Sequence, residues 1–135
     1  MTLVAINGFG RIGRNFLRAY LERRPGYEVV TVNDLGDVKT MAHLLEFDSL
    51  LGRLSEEVTA DAETITVGGQ ELQALSIARP KDLLWRELGI DVVIESTGRF
   101  TKRDQAQAHL DAGAGSVVIS AVADDREPAR PAGPP

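Results

Sequence analysis

Apolar residues along this chain fall either in short continuous runs or in stripes spaced three or four apart, and the changes between the two mark its elements. Leu3-Val4-Ala5-Ile6 is a continuous run that stops at Asn7-Gly8, as a strand covered on both faces does. From Arg11 the period lengthens. Ile12, Phe16, Ala19 and Tyr20 share one helical face, with Arg11, Arg14, Arg18 and Glu22 on the other. Arg23 and Arg24 suit the negative end of that helix, and Pro25-Gly26 stops it. Glu28-Val29-Val30-Thr31-Val32 is a second strand, rich in β-branched residues, finishing at Asn33-Asp34. Strand, helix and strand within about thirty residues make one βαβ unit with a right-handed crossover.

Asp37 opens a second helical stretch in which Met41, Leu44 and Leu45 share a face, closing near Phe47-Asp48-Ser49. Thr64-Ile65-Thr66-Val67, Gly68-Gly69 and Gln70-Glu71-Leu72 then have the pattern of a hairpin with a two-glycine turn. Pro80 to Leu88 predicts a short helix with Leu84, Trp85 and Leu88 apolar, and Trp85 in the core. Asp91–Glu95 is another strand, Thr101–Ala112 a helix with Ala106 and Leu110 inward, and Ser116–Ser120 a last strand. Alternating strands and helices predict an α/β fold: a doubly wound, mostly parallel sheet with helices on both faces and an inserted β-hairpin. In the strand order 3-2-1-4-5-6, Asp91–Glu95 and Ser116–Ser120 take positions four and five.

Composition narrows the function classes. The 135 residues are 43% hydrophobic and 26% charged, the profile of one soluble globular domain. A formal charge of −5 with scattered acidic residues offers no basic field, which argues against nucleic acid as a partner. No leader pattern follows Met1-Thr2 and no apolar run is long enough for a membrane span, so a cytoplasmic protein with no membrane partner is expected. There are no cysteines, hence no disulfide, no thiolate metal site and no cysteine nucleophile. After Ala123 the chain turns to Asp124-Asp125-Arg126-Glu127 and a segment with four prolines in its last eight residues, so residues 1–123 are expected to form the domain and 124–135 a disordered tail.

The chemistry lies in the first turn. Gly8-Phe9-Gly10-Arg11-Ile12-Gly13 fits G-x-G-x-x-G between a strand and a helix, and Asp34 follows at the end of the next strand. Such a Rossmann turn needs Gly8 for its sharp bend, Gly10 for the approach of a pyrophosphate to backbone, and Gly13 for close helix–strand packing. The N–H groups of Arg11 and Ile12 are then free at a positive helix end to hold phosphates. Asp34 accepts ribose hydroxyls and repels a 2′-phosphate, which favours NAD over NADP.

Asn7-Gly8-Phe9-Gly10-Arg11-Ile12-Gly13-Arg14-Asn15 closely resembles the opening motif of the glyceraldehyde-3-phosphate dehydrogenase family. Val32-Asn33-Asp34-Leu35, the segment Ala42 to Ser49 followed by Gly52-Arg53, and Glu95-Ser96-Thr97-Gly98-Arg99-Phe100-Thr101 also resemble it, in order and spacing, so that the likeness runs from about Val4 to Ser120. The resemblance implies Asn7, Gly8, Arg11 and Ile12 around the pyrophosphate and Asp34 on the ribose. It also implies Ser96, Thr97 and Phe100 beside the adenine half, and Ser120 below the nicotinamide side. Arg14 answers to a residue at a subunit contact in the family; alone it is read as solvated. His43 and His109 are read as ordinary helix residues, with no nucleophile or carboxylate signature nearby.

The departures from that family bear on activity. Val122 stands where the family has proline, Arg79 is displaced from the adenine-side arginine, and the Ser-Cys-Thr-Thr-Asn segment, catalytic histidine and phosphate sites have no counterpart here. The reaction that the resemblance implies needs a cysteine thiolate to add to the aldehyde before hydride passes to NAD. The expectation is therefore a truncated NAD-binding domain, inactive alone, with no catalytic residue and no metal ligand. Two further readings stay open. One is an interaction module that self-associates or binds a full-length dehydrogenase subunit; the other is half of a split dehydrogenase whose partner supplies the thiol.

Overall fold

The computed structural model describes residues 1–98 and 103–119. Its elements are β1 (Thr2–Asn7), α1 (Arg11–Arg23), β2 (Tyr27–Asn33), α2 (Val38–Glu46), β3 (Phe47–Asp48), β4 (Gly52–Arg53), β5 (Val58–Ala60), β6 (Thr64–Val67) and β7 (Gln70–Leu75). A 3-10 turn (Pro80–Asp82), α3 (Trp85–Leu88), β8 (Val92–Glu95), α4 (Arg103–Asp111) and β9 (Ser116–Ile119) follow. Seven strands form one sheet in the order β5-β6-β7-β2-β1-β8-β9. β7, β2, β1, β8 and β9 run parallel, and β5 and β6 add antiparallel at one end. The expected order is thus present, with β8 and β9 in positions four and five. The hairpin is not a separate insertion, because its second arm, β7, is also the third parallel strand.

Period-two alternation in β1 feeds two cores. Val4 and Ile6 pack with Leu17, Val29, Val32, Leu45 and Ile94 on one face, and Ala5 packs with Leu83, Trp85, Ile90 and Val93 on the other. Gly68 and Gly69 turn the β6–β7 hairpin with φ of +58° and +83°, a pair of left-handed residues that suits the strand twist.

Three helix faces differ from the expected ones by a residue or so. In α1 the inward stripe is Gly13, Leu17, Tyr20 and Leu21, with Ile12, Phe16 and Ala19 only half-buried. Gly13 sets this rotation, since its Cα lies against the Gly8 carbonyl and draws the positions four, seven and eight further on to the sheet. In α2 the face is Met41, Ala42 and Leu45, and Leu44 is exposed. In α4 Ala106 and His109 point inward while Leu110 is exposed. The stretch from Pro80 divides into the 3-10 turn and α3. Leu83 and Trp85 are buried there, and Leu84 faces out.

Arg18, expected on a solvated face, bends back over α2. Its guanidinium donates to the carbonyls of Leu45 (2.7 Å) and Glu46 (3.2 Å) at the end of α2, where helical acceptors lack intrahelical partners, and to the Gly52 carbonyl of β4 (2.9 Å). Arg14 is likewise half-buried, with Nη1 donating to the Phe9 carbonyl at 3.1 Å. Burial and the neighbouring Arg11 lower its pKa.

Candidate nucleotide-binding site

The parallel register brings Asn7 opposite Asn33 on one side and Glu95 on the other, so β1, β2 and β8 end at one level. This is the point where the strand order reverses, with β2 on one side of β1 and β8 on the other. Crevices that take ligands form at such points. An open cleft there is lined by Asn7, Gly8, Gly10, Asn33, Asp34, Leu35, Ile77, Ala78, Ser96 and Thr97.

The turn between β1 and α1 is held from both neighbours. Gly8 N–H donates to the Asn33 carbonyl at 2.8 Å, and Ser96 Oγ donates to the Gly8 carbonyl at 2.6 Å. Gly8 has φ +96°, and a Cβ there would lie 2.6 Å from the Thr97 nitrogen. A Cβ on Gly13 would run into the Gly8 carbonyl. Gly10 differs: a Cβ there would meet nothing within 4 Å. Gly10 is also the N-cap of α1 and offers no side-chain hydrogen bond to the N–H groups of its first turn.

Asp34 stands beside this opening. Its Oδ2 accepts the Phe9 N–H at 2.7 Å and its Oδ1 the Gly36 N–H at 2.8 Å, and each oxygen keeps a lone pair for a further donor. The Arg11 side chain turns away from the cleft to Asp48 at 2.8 Å. Asp48 accepts the N–H groups of Leu51 and Leu50 as well, and these bonds together with Arg11 hold its pKa down to about 2. Arg11 and Ile12 follow Gly10 at the start of α1 and are not among the residues lining the cleft; Ile12 is half-buried. Asn7, Gly8, Gly10, Asp34, Ser96 and Thr97 are brought together at the cleft, while Gly13 packs beneath it. Phe100, Ser120 and the expected tail lie outside the described residues.

Beneath the cleft lies a polar group absent from the expectations. Asn33 Nδ2 donates to Asn7 Oδ1 at 2.7 Å, and Asn7 Nδ2 donates to Glu95 Oε1 at 2.7 Å. His109 Nε2 lies 2.6 Å from the same oxygen, and Trp85 Nε1 donates to His109 Nδ1 at 3.0 Å. Thr97 supplies its N–H and hydroxyl to Glu95 Oε2 at 3.0 and 2.7 Å. Burial pushes the Glu95 pKa up, but the hydrogen bonds from His109, Thr97 and Asn7 outweigh it and hold the carboxyl below its ordinary value. The expectation that His109 has no carboxylate nearby is thus overturned. Its partner is 14 residues away in sequence, at the end of β8, and the return of α4 over the sheet brings the two together. One signal was available: Asn7, Asn33 and Glu95 each end an apolar run, and adjacent parallel strands bring such ends side by side. His43 is exposed and packs on Phe47, with ring centroids 4.9 Å apart. Among the described residues no group of three or more His, Asp or Glu side chains fits a metal ion, and no helix is long and apolar enough to cross a membrane.

Comparison with known proteins agrees with this geometry. Residues 2–103 match the family model described as "Glyceraldehyde 3-phosphate dehydrogenase, NAD binding domain". The chain is 55% identical over 124 residues to glyceraldehyde-3-phosphate dehydrogenase 2 of Streptomyces avermitilis, and 52% identical over 124 residues to the glyceraldehyde-3-phosphate dehydrogenase of Geobacillus stearothermophilus. Each match covers 92% of this chain and 37% of the relative. The Clostridium pasteurianum enzyme is 54% identical over 123 residues, which is 91% of this chain and 36% of that protein. The chain thus spans little more than a third of the length of these relatives. With a strand-order reversal, a glycine turn and an acidic strand end all in register, the chain belongs to the family of glyceraldehyde-3-phosphate dehydrogenase NAD-binding domains.

Proposed function

We propose that this chain binds NAD through its adenosine and pyrophosphate half in the cleft above β1, β2 and β8. The observation that carries the reading is the open space at Gly10, the one motif glycine with nothing where a Cβ would stand. A pyrophosphate fits there against the free N–H groups of Arg11 and Ile12, at the positive end of α1. Asp34 has lone pairs left for the ribose hydroxyls, and its charge disfavours a 2′-phosphate, so NAD is preferred to NADP. Ser96 and Thr97 form the facing wall.

Bound NAD supplies a hydride acceptor. These 135 residues contain no cysteine to add to an aldehyde, and none of the described residues is assigned a catalytic role. The test is calorimetric titration. NAD is expected to bind with Kd of about 0.1–1 mM, since only half of it is gripped. ADP-ribose should bind equally well and NADP more weakly, and no NADH should form from glyceraldehyde 3-phosphate, NAD and phosphate. An NAD affinity far above that for ADP-ribose, or no binding of either, would overturn the reading.

We further infer that the chain pairs with a second copy of itself along β9. Among the described residues β9 has β8 on one side and no strand on the other, and Val118 is 47% exposed.

A further inference from the structure

The polar group under the cleft has a direction, and the direction converges on one atom pair. Ile77 N–H donates to Asn33 Oδ1 at 2.9 Å, so the Asn33 amide nitrogen is the end that meets Asn7. Asn7 receives it on Oδ1, which turns the Asn7 nitrogen to Glu95. From the other side the indole N–H of Trp85 can only donate. His109 Nδ1 is therefore the acceptor, and the ring proton on Nε2 is directed at Glu95. Thr97 donates twice more. Donors on β1, β2, α3, α4 and the loop after β8 are thus all aligned toward a carboxylate that is only 1% exposed.

A buried charge is a costly way to close three strand ends, unless its charge has a use. Here it orients both walls of the cleft: Ile77 through Asn33 and Asn7 on one side, Thr97 on the other. We propose that Glu95, with His109 behind it, is a positioning pair that sets nucleotide affinity from beneath the site, and that Trp85 at the far end of the line reports whether the site is filled. This rests on the NAD-binding reading above. The chain contains a single tryptophan, fully buried, so its emission is an unmixed signal.

The test uses the full 135-residue chain, titrated with ADP-ribose by calorimetry and by tryptophan emission, well below the melting transition of every variant. Glu95→Gln replaces a two-oxygen acceptor by one oxygen and an amide NH2 that faces donors. It is expected to weaken ADP-ribose about tenfold, equivalent to about 1.4 kcal/mol. His109→Leu is expected to weaken it similarly, and His109→Gln, which keeps an N–H for Glu95, to stay within about threefold of the parent. Saturation should change Trp85 emission in the parent and not in Glu95→Gln. Variants that melt earlier but bind with parental affinity would reduce the pair to a structural role and overturn the proposal. So would a parent that binds while Trp85 emission stays still, although the NAD-binding reading would survive. A parent that binds nothing removes both. If Glu95→Gln fails to fold, the His109 pair of variants and the parental emission decide.

Discussion

At the residue scale the three motif glycines separate into two kinds. Gly8 and Gly13 are required by the fold: the first has φ +96° and lies against Thr97, and the second lies against the Gly8 carbonyl. Gly10 has φ −78° and ψ −158°, an ordinary extended conformation, with empty space above it. Gly8→Ala and Gly13→Ala are therefore expected to destabilise the free protein by about 1–3 kcal/mol each. Gly10→Phe should leave the thermal melt unchanged or slightly raised and abolish NAD binding. Circular dichroism melts paired with titration check this, and a Gly10→Phe protein that unfolds early, or still binds, contradicts it. This partition was legible in the sequence because the motif fixes each glycine's place between strand and helix. The floor of the site was not. Asn7 was singled out for its resemblance to a ligand contact, yet its side chain is engaged by Asn33 and Glu95, residues 26 and 88 positions away. That each of the three ends an apolar run is the one local signal, and it places them at one level of the sheet without saying which side chain pairs with which.

At the element scale, runs and periods gave most strands and helices of the sheet and the places of β8 and β9 in its order, but they missed β5 and the short β3–β4 pair and left the third parallel strand as one arm of a hairpin. They placed the helix faces less well, because a hydrophobic stripe is wide and a single close contact decides its rotation. Gly13 does so in α1. In α4 His109 takes the inward position that apolarity alone assigns to Leu110, since a buried acceptor and donor await it. Side chains that tie one element to another were also beyond a reading of periods. Arg11 and Arg18 look solvated in a helical projection but fasten α1 to the end of α2 through the Leu45 carbonyl and to the β3–β4 segment through Asp48 and the Gly52 carbonyl. The Asp48 link makes a pH-dependent prediction. Its pKa is about 2 in the folded chain against an ordinary 3.8, so its contribution is fully present above about pH 4 and lost as pH falls through about 2. Asp48→Asn should melt below the parent at pH 6, and the gap should close between pH 4 and pH 2. Glu95 titrates in the same direction but is present in both proteins, so the difference isolates Asp48. A gap that persists unchanged at pH 2 would show that the charge contributes nothing to the link.

At the scale of the whole molecule the sheet has two unlike edges among the described residues. β5 is three residues long, exposes Thr59 and is flanked by Glu57 and Asp61, features that discourage pairing. β9 carries Val117, Val118 and Ile119 with no lysine or proline among them. Register explains the exposure of Val118. Val117 sits opposite Val93 in the core under α3, whereas Val118 sits opposite Ile94, on the face that α1 covers through Leu17, and is left 47% exposed there. An apolar strand with free N–H and C=O groups along one side is a template for another strand of the same sequence. The chain is therefore expected to self-associate at high micromolar concentration, and Val118→Lys to shift it toward monomer in light scattering at matched concentrations. A competing surface exists where Phe47, Leu50 and Leu51 are exposed near the β3–β4 turn, with Leu50 at 79%. Leu50→Lys separates the two. Association that survives Val118→Lys but disappears in Leu50→Lys assigns the contact to that turn and refutes the edge, as does a parent chain that stays monomeric throughout.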